Sequence, residues 1–346
     1  MAAGNTTTQL DTVQRYWQKK WSNLPVEEYE TPLANSKFLQ EATIPKGQGG
    51  SAYFRRINHF SQTTALVTES AEATPETLSF ETVEVPIKEL TNSISIGHMA
   101  NDVDPVDLID WSFKEFVTWV GRSQHLIVAN TMVNGFSESV FGTAHAFDGF
   151  QTIYAQGAPS FKGLTPGSIP TVADFVDATD RIRNARAPKH STAQDKYVCV
   201  IDDSTLCDLM DQDPDLNTIV REHRDLTKAV EQNKMISFPY KGLVWVSMSE
   251  GWRTKLSSEG DGLTSTYSDT GKVHFSHVFG ANSVGYVNHG SPALRKSPKF
   301  KVQDITITGI ETTIGFRIPM NVVVLKDTWG INVAGTSNHD SVAVGG

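Results

Sequence analysis

This sequence predicts a mixed α+β fold. Three observations carry that reading: β-prone runs near both ends of the chain, one long amphipathic helix over residues 105–134, and helices alternating with apolar strands from Thr171 to about Asn288. At 346 residues the chain has room for about two ordinary domains.

From Gln9 to Leu24 the residues Leu10, Val13, Trp17, Trp21 and Leu24 recur every three or four positions, a single helical stripe that Pro25 ends. The polar stretch after it offers no core, so the stripe must bury against its own domain or a neighbour. Between Ser51 and Phe60 polar and aromatic residues alternate on both faces, as in an exposed strand. A second run places Val83, Val85 and Ile87 on one face, and the two runs can pair as a ribbon. Further on, Leu90, Ile94 and Ile96 carry the apolar set at even positions, so the phase slips near Lys88 and Glu89, which predicts a bulge or bend. A two-stranded ribbon is marginal alone and should lean on a surface outside itself.

Asp104-Pro105 opens the long helix, with Asp107 and Asp110 in its first turns and Asn134-Gly135 at its end. At 1.5 Å per residue it would be roughly 45 Å long. Residues 136–170, rich in Gly and Pro, read as loops with a short strand at most. Thr171 and Asp174 have capping-box spacing before an amphipathic helix carrying Val172, Phe175, Val176, Thr179 and Ile182. Tyr197 to Ile201 is a buried strand, a short helix with Leu206, Leu209 and Met210 follows, and Leu243 to Met248 is another strand. Alternation resumes from Ile305 to Ile318, and Val322 to Leu325 reads as a central strand. The tail, residues 332–346, is rich in Gly, Ser, Asn and Ala, and is expected to be flexible.

The formal charge of −9, without a basic run, argues against a dedicated DNA-gripping surface. Two cysteines, Cys199 and Cys207, fall in different elements and suggest no disulfide framework. No signal pattern opens the chain, and no apolar stretch approaches the roughly 20 residues of a membrane helix.

Chemical motifs are sparse. Gly47, Gly49 and Gly50 match neither phosphate-loop nor dinucleotide spacing. Asp269-Thr270-Gly271 lacks the apolar flanks of an aspartic-protease strand. His274 and His277, an odd distance apart on a strand, point to opposite faces and would not share a metal. The sharpest pattern is Asp211, Asp213, Asp215, Asn217 and Glu222, which fall on the ligand positions of a calcium loop. Leu216 replaces the glycine that makes its sharp turn, and Pro214 stiffens the backbone, so a turn before a helix is the stronger reading. No catalytic residue, cofactor or metal is expected.

The order of elements resembles the tailed-phage and herpesvirus major capsid fold. Local phrases match one major-capsid family too: Phe279-Gly280-Ala281-Asn282-Ser283-Val284-Gly285-Tyr286, Phe300 to Gly309, Ile314-Gly315-Phe316, Val322 to Trp329, and Thr82 to Gly97. The resemblance runs from Ala42 to Gly330. It implies an N-terminal arm (1–41), an extended β-ribbon loop (42–95), a peripheral domain (96–170 and 300–331) with spine helix 105–134, an α/β axial domain (171–299) and the flexible tail. It implies pentamers and hexamers closing into an icosahedral virion shell around double-stranded DNA, assembled in the host cytoplasm. A separate scaffolding protein and a portal are the expected partners, with or without a decoration protein, and with only weak nonspecific DNA contact. Trp17, Trp21, Tyr53, Arg55, Ile57, Val83 and Val85 are the candidate subunit contacts. An encapsulin-type nanocompartment shell and a soluble α/β enzyme are the alternatives; cargo would mark the first and turnover by a monomer the second.

Overall fold

Alternation of period two dictates the layering of the chain. In the computed structural model, residues 38–44, 50–57, 80–97, 121, 123–140, 143–147, 149–226, 237–248, 251–256, 272–289, 299–304 and 311–339 are described. Strand Glu311–Val324 (numbered β15 in chain order) turns Ile314, Ile318, Met320, Val322 and Val324 into one core and Val323, with the following Leu325, into another. It pairs antiparallel with Lys88–Gly97 (β4), Val284–His289 (β13) and Lys299–Asp304 (β14), and Gln40–Ile44 (β1) adds parallel to β13. These five strands form the first sheet.

The second sheet has seven strands, Gln151–Tyr154 (β7), Tyr197–Asp202 (β8), Ser237–Tyr240 (β9), Leu243–Met248 (β10), Trp252–Thr254 (β11), Val273–Phe279 (β12) and Gly330–Thr336 (β16). Every residue of β8, β12 and β16 is buried, so these strands read as continuous apolar or small-residue runs. Helices Val172–Asn184 (α2), Asp203–Gln212 (α3) and Pro214–Leu226 (α4) cover one face through Phe175, Ile182, Leu206, Leu209, Leu216 and Val220. The Asp174 carboxylate accepts the Thr171 N–H at 2.7 Å and its hydroxyl at 3.0 Å, closing the start of α2. The other face shares its core with the first sheet and with the helix described over residues 123–134 (α1), which contributes Val128, Ala129 and Met132. Gly135, at φ 69°, ends that helix in the left-handed conformation, and its N–H returns to the Thr131 carbonyl.

Several expectations need correction. Residues 136–170 are not merely loops: Phe136–Val140 (β5) pairs with Thr143–Phe147 (β6), and β7 enters the seven-stranded sheet beside β16. The segment assigned to a flexible tail is, through Thr336, an interior strand between β7 and β12. Gly, Ala and Asn suit it because Phe150 and Pro170 press on its backbone: a Cβ on Gly330 would lie 2.3 Å from Phe150, and one on Gly335 2.5 Å from Pro170. β13, expected in the axial segment, belongs to the first sheet, while Gly330 and Ile331, expected with the peripheral segment, belong to the second. β1 straddles the expected arm and ribbon. The start of the long helix at Asp104-Pro105, the N-terminal stripe, Asp269-Thr270-Gly271 and residues 340–346 lie outside the described residues. Among the described residues no helix is long and apolar enough to cross a membrane.

Candidate assembly surfaces

Ser51–Ile57 (β2) and Phe80–Pro86 (β3) form the expected antiparallel ribbon, in register from Ser51 opposite Pro86 to Ile57 opposite Phe80. Its two faces differ completely. Ala52, Phe54, Val83 and Val85 are buried against Ile44, Val287, Val323 and Leu325 of the same chain. The surface the ribbon needs is therefore supplied by its own first sheet. Phe54 is seated over Gly285, where a Cβ would lie 2.8 Å from the ring's Cζ. Val83 and Val85 are thus corrected as contact candidates: they point inward, two residues apart on one face. Tyr53 and Arg55 point outward and are exposed, Tyr53 by 62%. The Tyr53 hydroxyl donates to Glu84 across the ribbon, and that bond, then the carboxylate's charge, raises the phenol above its ordinary range. The Ile57 side chain, Trp17 and Trp21 lie outside the described residues.

The phase slip expected near Lys88 and Glu89 is a handover. The strand breaks at Ile87, whose N–H bonds the Gly50 carbonyl at 2.7 Å, and the chain then leaves β2 to pair with β15. Asn321 Nδ2 donates to the Pro86 carbonyl at 2.7 Å and fastens the corner. Beyond it, residues 91–95 of β4 are exposed on both faces, and Ile94 is a large apolar side chain left 39% accessible. Together, the outer ribbon face and this part of β4 are surfaces that no described layer of the chain covers.

The calcium-loop residues do not converge. Asp211 lies in the last turn of α3 and receives His339 Nε2 at 2.8 Å. Asp213 caps α4, its Oδ1 accepting the N–H groups of Asp215 at 3.1 Å and Leu216 at 3.3 Å. Its other oxygen takes the Tyr240 hydroxyl at 2.8 Å, which, with smaller help from those amides and Lys241, holds the carboxyl below its usual range. Asp215, Asn217 and Glu222 lie along α4, which begins at Pro214 inside the pattern. Leu216 points into the core. That burial is the purpose of the residue standing where a calcium loop needs glycine.

One buried charge cluster went unread in the sequence. Asp202, at the end of β8, is fully buried, takes Arg253 Nη2 at 3.0 Å and contacts His274 Nδ1. A Cβ on Gly251 would come within 2.9 Å of it, so the turn into β11 closes over the carboxylate. With Asp202 and His274 sealed from solvent and Arg253 nearly so, the cluster ties β8, β11 and β12 together and presents no open site. Asp202 stands 51 positions before Arg253 and 72 before His274, which is why no spacing announced it.

No family model and no curated protein matches this chain. Solved structures do. The chain is similar to the capsid of Ralstonia phage GP4, with 15% identity, a TM-score of 0.62, and coverage of 88% of this chain and 91% of that one. It is similar to the head structure of Helicobacter pylori bacteriophage KHP40 (13% identity, TM-score 0.56, 86% and 88% covered). It is likewise similar to the capsid asymmetric unit of cyanophage Pam1 (12% identity, TM-score 0.55, 84% and 86% covered). The chain has the α+β fold of tailed-phage major capsid proteins.

Proposed function

We propose that this chain is a structural subunit that self-assembles through pentamers and hexamers into the icosahedral head shell enclosing a double-stranded DNA genome. The observation that carries this reading is the match of fold over nearly the whole length of phage capsid chains, 91% of the GP4 subunit and 88% of the KHP40 subunit. The uncovered outer face of the ribbon, with Tyr53 and Arg55, and the doubly exposed part of β4 supply surfaces for neighbouring copies. The subunit works by contact rather than catalysis. Its location is the virion, after assembly in the host cytoplasm beside a separate scaffolding protein and a portal, with or without a decoration protein. The negative balance keeps its hold on packaged DNA weak and nonspecific.

The test is negative-stain microscopy with light scattering on the chain expressed alone and with its genomic neighbours. Closed shells, tubes or ring-shaped capsomers are the expected result. Shells that carry a protein cargo and never DNA would move the reading to a nanocompartment, and a monodisperse monomer under every condition would overturn self-assembly.

A further inference from the structure

Helix α1 meets the seven-stranded sheet through a polar hub sunk in an apolar core. At its C-terminal end the Met132 carbonyl accepts the Phe150 N–H at 2.7 Å and Asn332 Nδ2 at 3.2 Å. The same amide group donates to the Phe150 carbonyl at 3.2 Å. Both contacts of that amide are carbonyls, so Asn332 Oδ1 is left as an acceptor, and it faces His277 Nδ1 at 2.8 Å. His277 must therefore carry its hydrogen on Nδ1. Its Nε2 is a bare lone pair, buried and without a partner among the described residues.

His125, two turns before Met132 on the same buried stripe, is 3% exposed, and neither of its ring nitrogens has a partner among the described residues. Desolvation first, and then the proximity of His277, lowers His125 to about 3; desolvation lowers His277 to about 4 against a small rise from Asn332. The described stretch of α1, β7, β12 and β16 contain no Asp or Glu, and the one on β8, Asp202, is engaged by Arg253 and His274. The Arg122 side chain lies outside those described.

We propose that His125 and His277 are an acid-triggered release for α1: the helix is seated only while both imidazoles are neutral, and protonation lifts it from the sheet. Two buried rings that feel one another and carry three nitrogens unpartnered among the described residues can take up protons only by reaching water. Reaching water means separating α1 from β12 and β16. The inference rests on the packing within one chain and stands apart from the shell reading.

The experiment follows histidine ring signals by NMR in the full-length chain, alongside amide hydrogen exchange of residues 123–134, from pH 7 downward. The expected result is that both rings remain neutral at about pH 5. On further acidification they gain protons together with loss of protection in α1, while amides of β8 and β10 are still protected. His125→Phe, which removes a titrating ring without removing a hydrogen bond, should move the release to lower pH and reduce proton uptake by one. Titration of either ring with α1 still protected, or a release pH unchanged by His125→Phe, would overturn the proposal. Should that variant fail to fold, the unaltered chain decides, because proton uptake and exposure of α1 must coincide in it.

Discussion

Phe54 of the ribbon lies over Gly285 of β13 so closely that a single methyl group at position 285 would come within 2.8 Å of the ring. The contact joins two parts of the chain 231 positions apart in number, and it decides which face of the ribbon is dry. Emptying the seat by Phe54→Ala should cost about 3–5 kcal/mol of stability. Filling it by Gly285→Val should instead displace the ring and free the ribbon. Hydrogen exchange of residues 51–57 and 80–86 checks the second: it should rise while the seven-stranded sheet stays protected, and assembly should be lost with the subunit still folded.

The charged cluster at Asp202 makes a different prediction. Arg253→Met would leave a buried carboxylate without its guanidinium, at a cost of about 3–5 kcal/mol, because an uncompensated buried charge is worse than none. Asp202→Asn combined with Arg253→Met removes both charges and should recover part of that loss. Denaturant midpoints of the two single variants and the double variant decide; a double loss equal to the sum of the single losses would show that the pair is not coupled.

Asp213 caps α4 through its Oδ1. Asp213→Ala should lower stability by about 1 kcal/mol, whereas Asp211→Ala, whose partner His339 is largely exposed, should change it by less than about 0.5 kcal/mol. Added calcium should leave the melting temperature of the unaltered chain where it is. A calcium-dependent rise that Asp211→Ala abolishes would reverse this assignment.

Acid should weaken the fold before any carboxylate chemistry intervenes. His125, His190 and His277 are lowered to about 3, about 4 and about 4, in each case chiefly by burial. His190 is held edge-on between Phe38 and Phe279, with ring centroids 6.0 and 5.6 Å away. Their unfolded values lie near 6.5, so the unfolded chain binds protons first as pH falls. Stability should be flat above about pH 7 with respect to these groups and should drop below 6.5 by as much as about 2 kcal/mol per histidine at pH 5. Denaturant unfolding at pH 7 and pH 5 measures this, and His190→Phe should shrink the difference.

By itself the sequence determined the elements whose signal is local. Period-two alternation marked the ribbon and β15, apolar runs marked β8 and β10, and Thr171 with Asp174 marked the start of α2. The change of phase near Lys88 foretold a break that the chain uses to pass from β2 to β15. Leu216 and Pro214 pointed to a turn before a helix, and α4 does begin at Pro214 with Leu216 buried. Only the tertiary structure decided partners. Strand pairing is a long-range choice, so nothing in Val284–His289 says which sheet it joins, and nothing in the burial of Val83 and Val85 says that the covering layer is the chain's own β13 and β15. Residues 332–336 looked like the start of a tail because several of them, like Gly330 just before, are small. They are small because Phe150 and Pro170 already occupy the space that side chains would fill, a fact that lives in the packing and in no single stretch of sequence. The same holds for Asp202 with Arg253 and His274, and for His125 with His277: their chemistry arises from being brought together and sealed from water, which composition and spacing do not record.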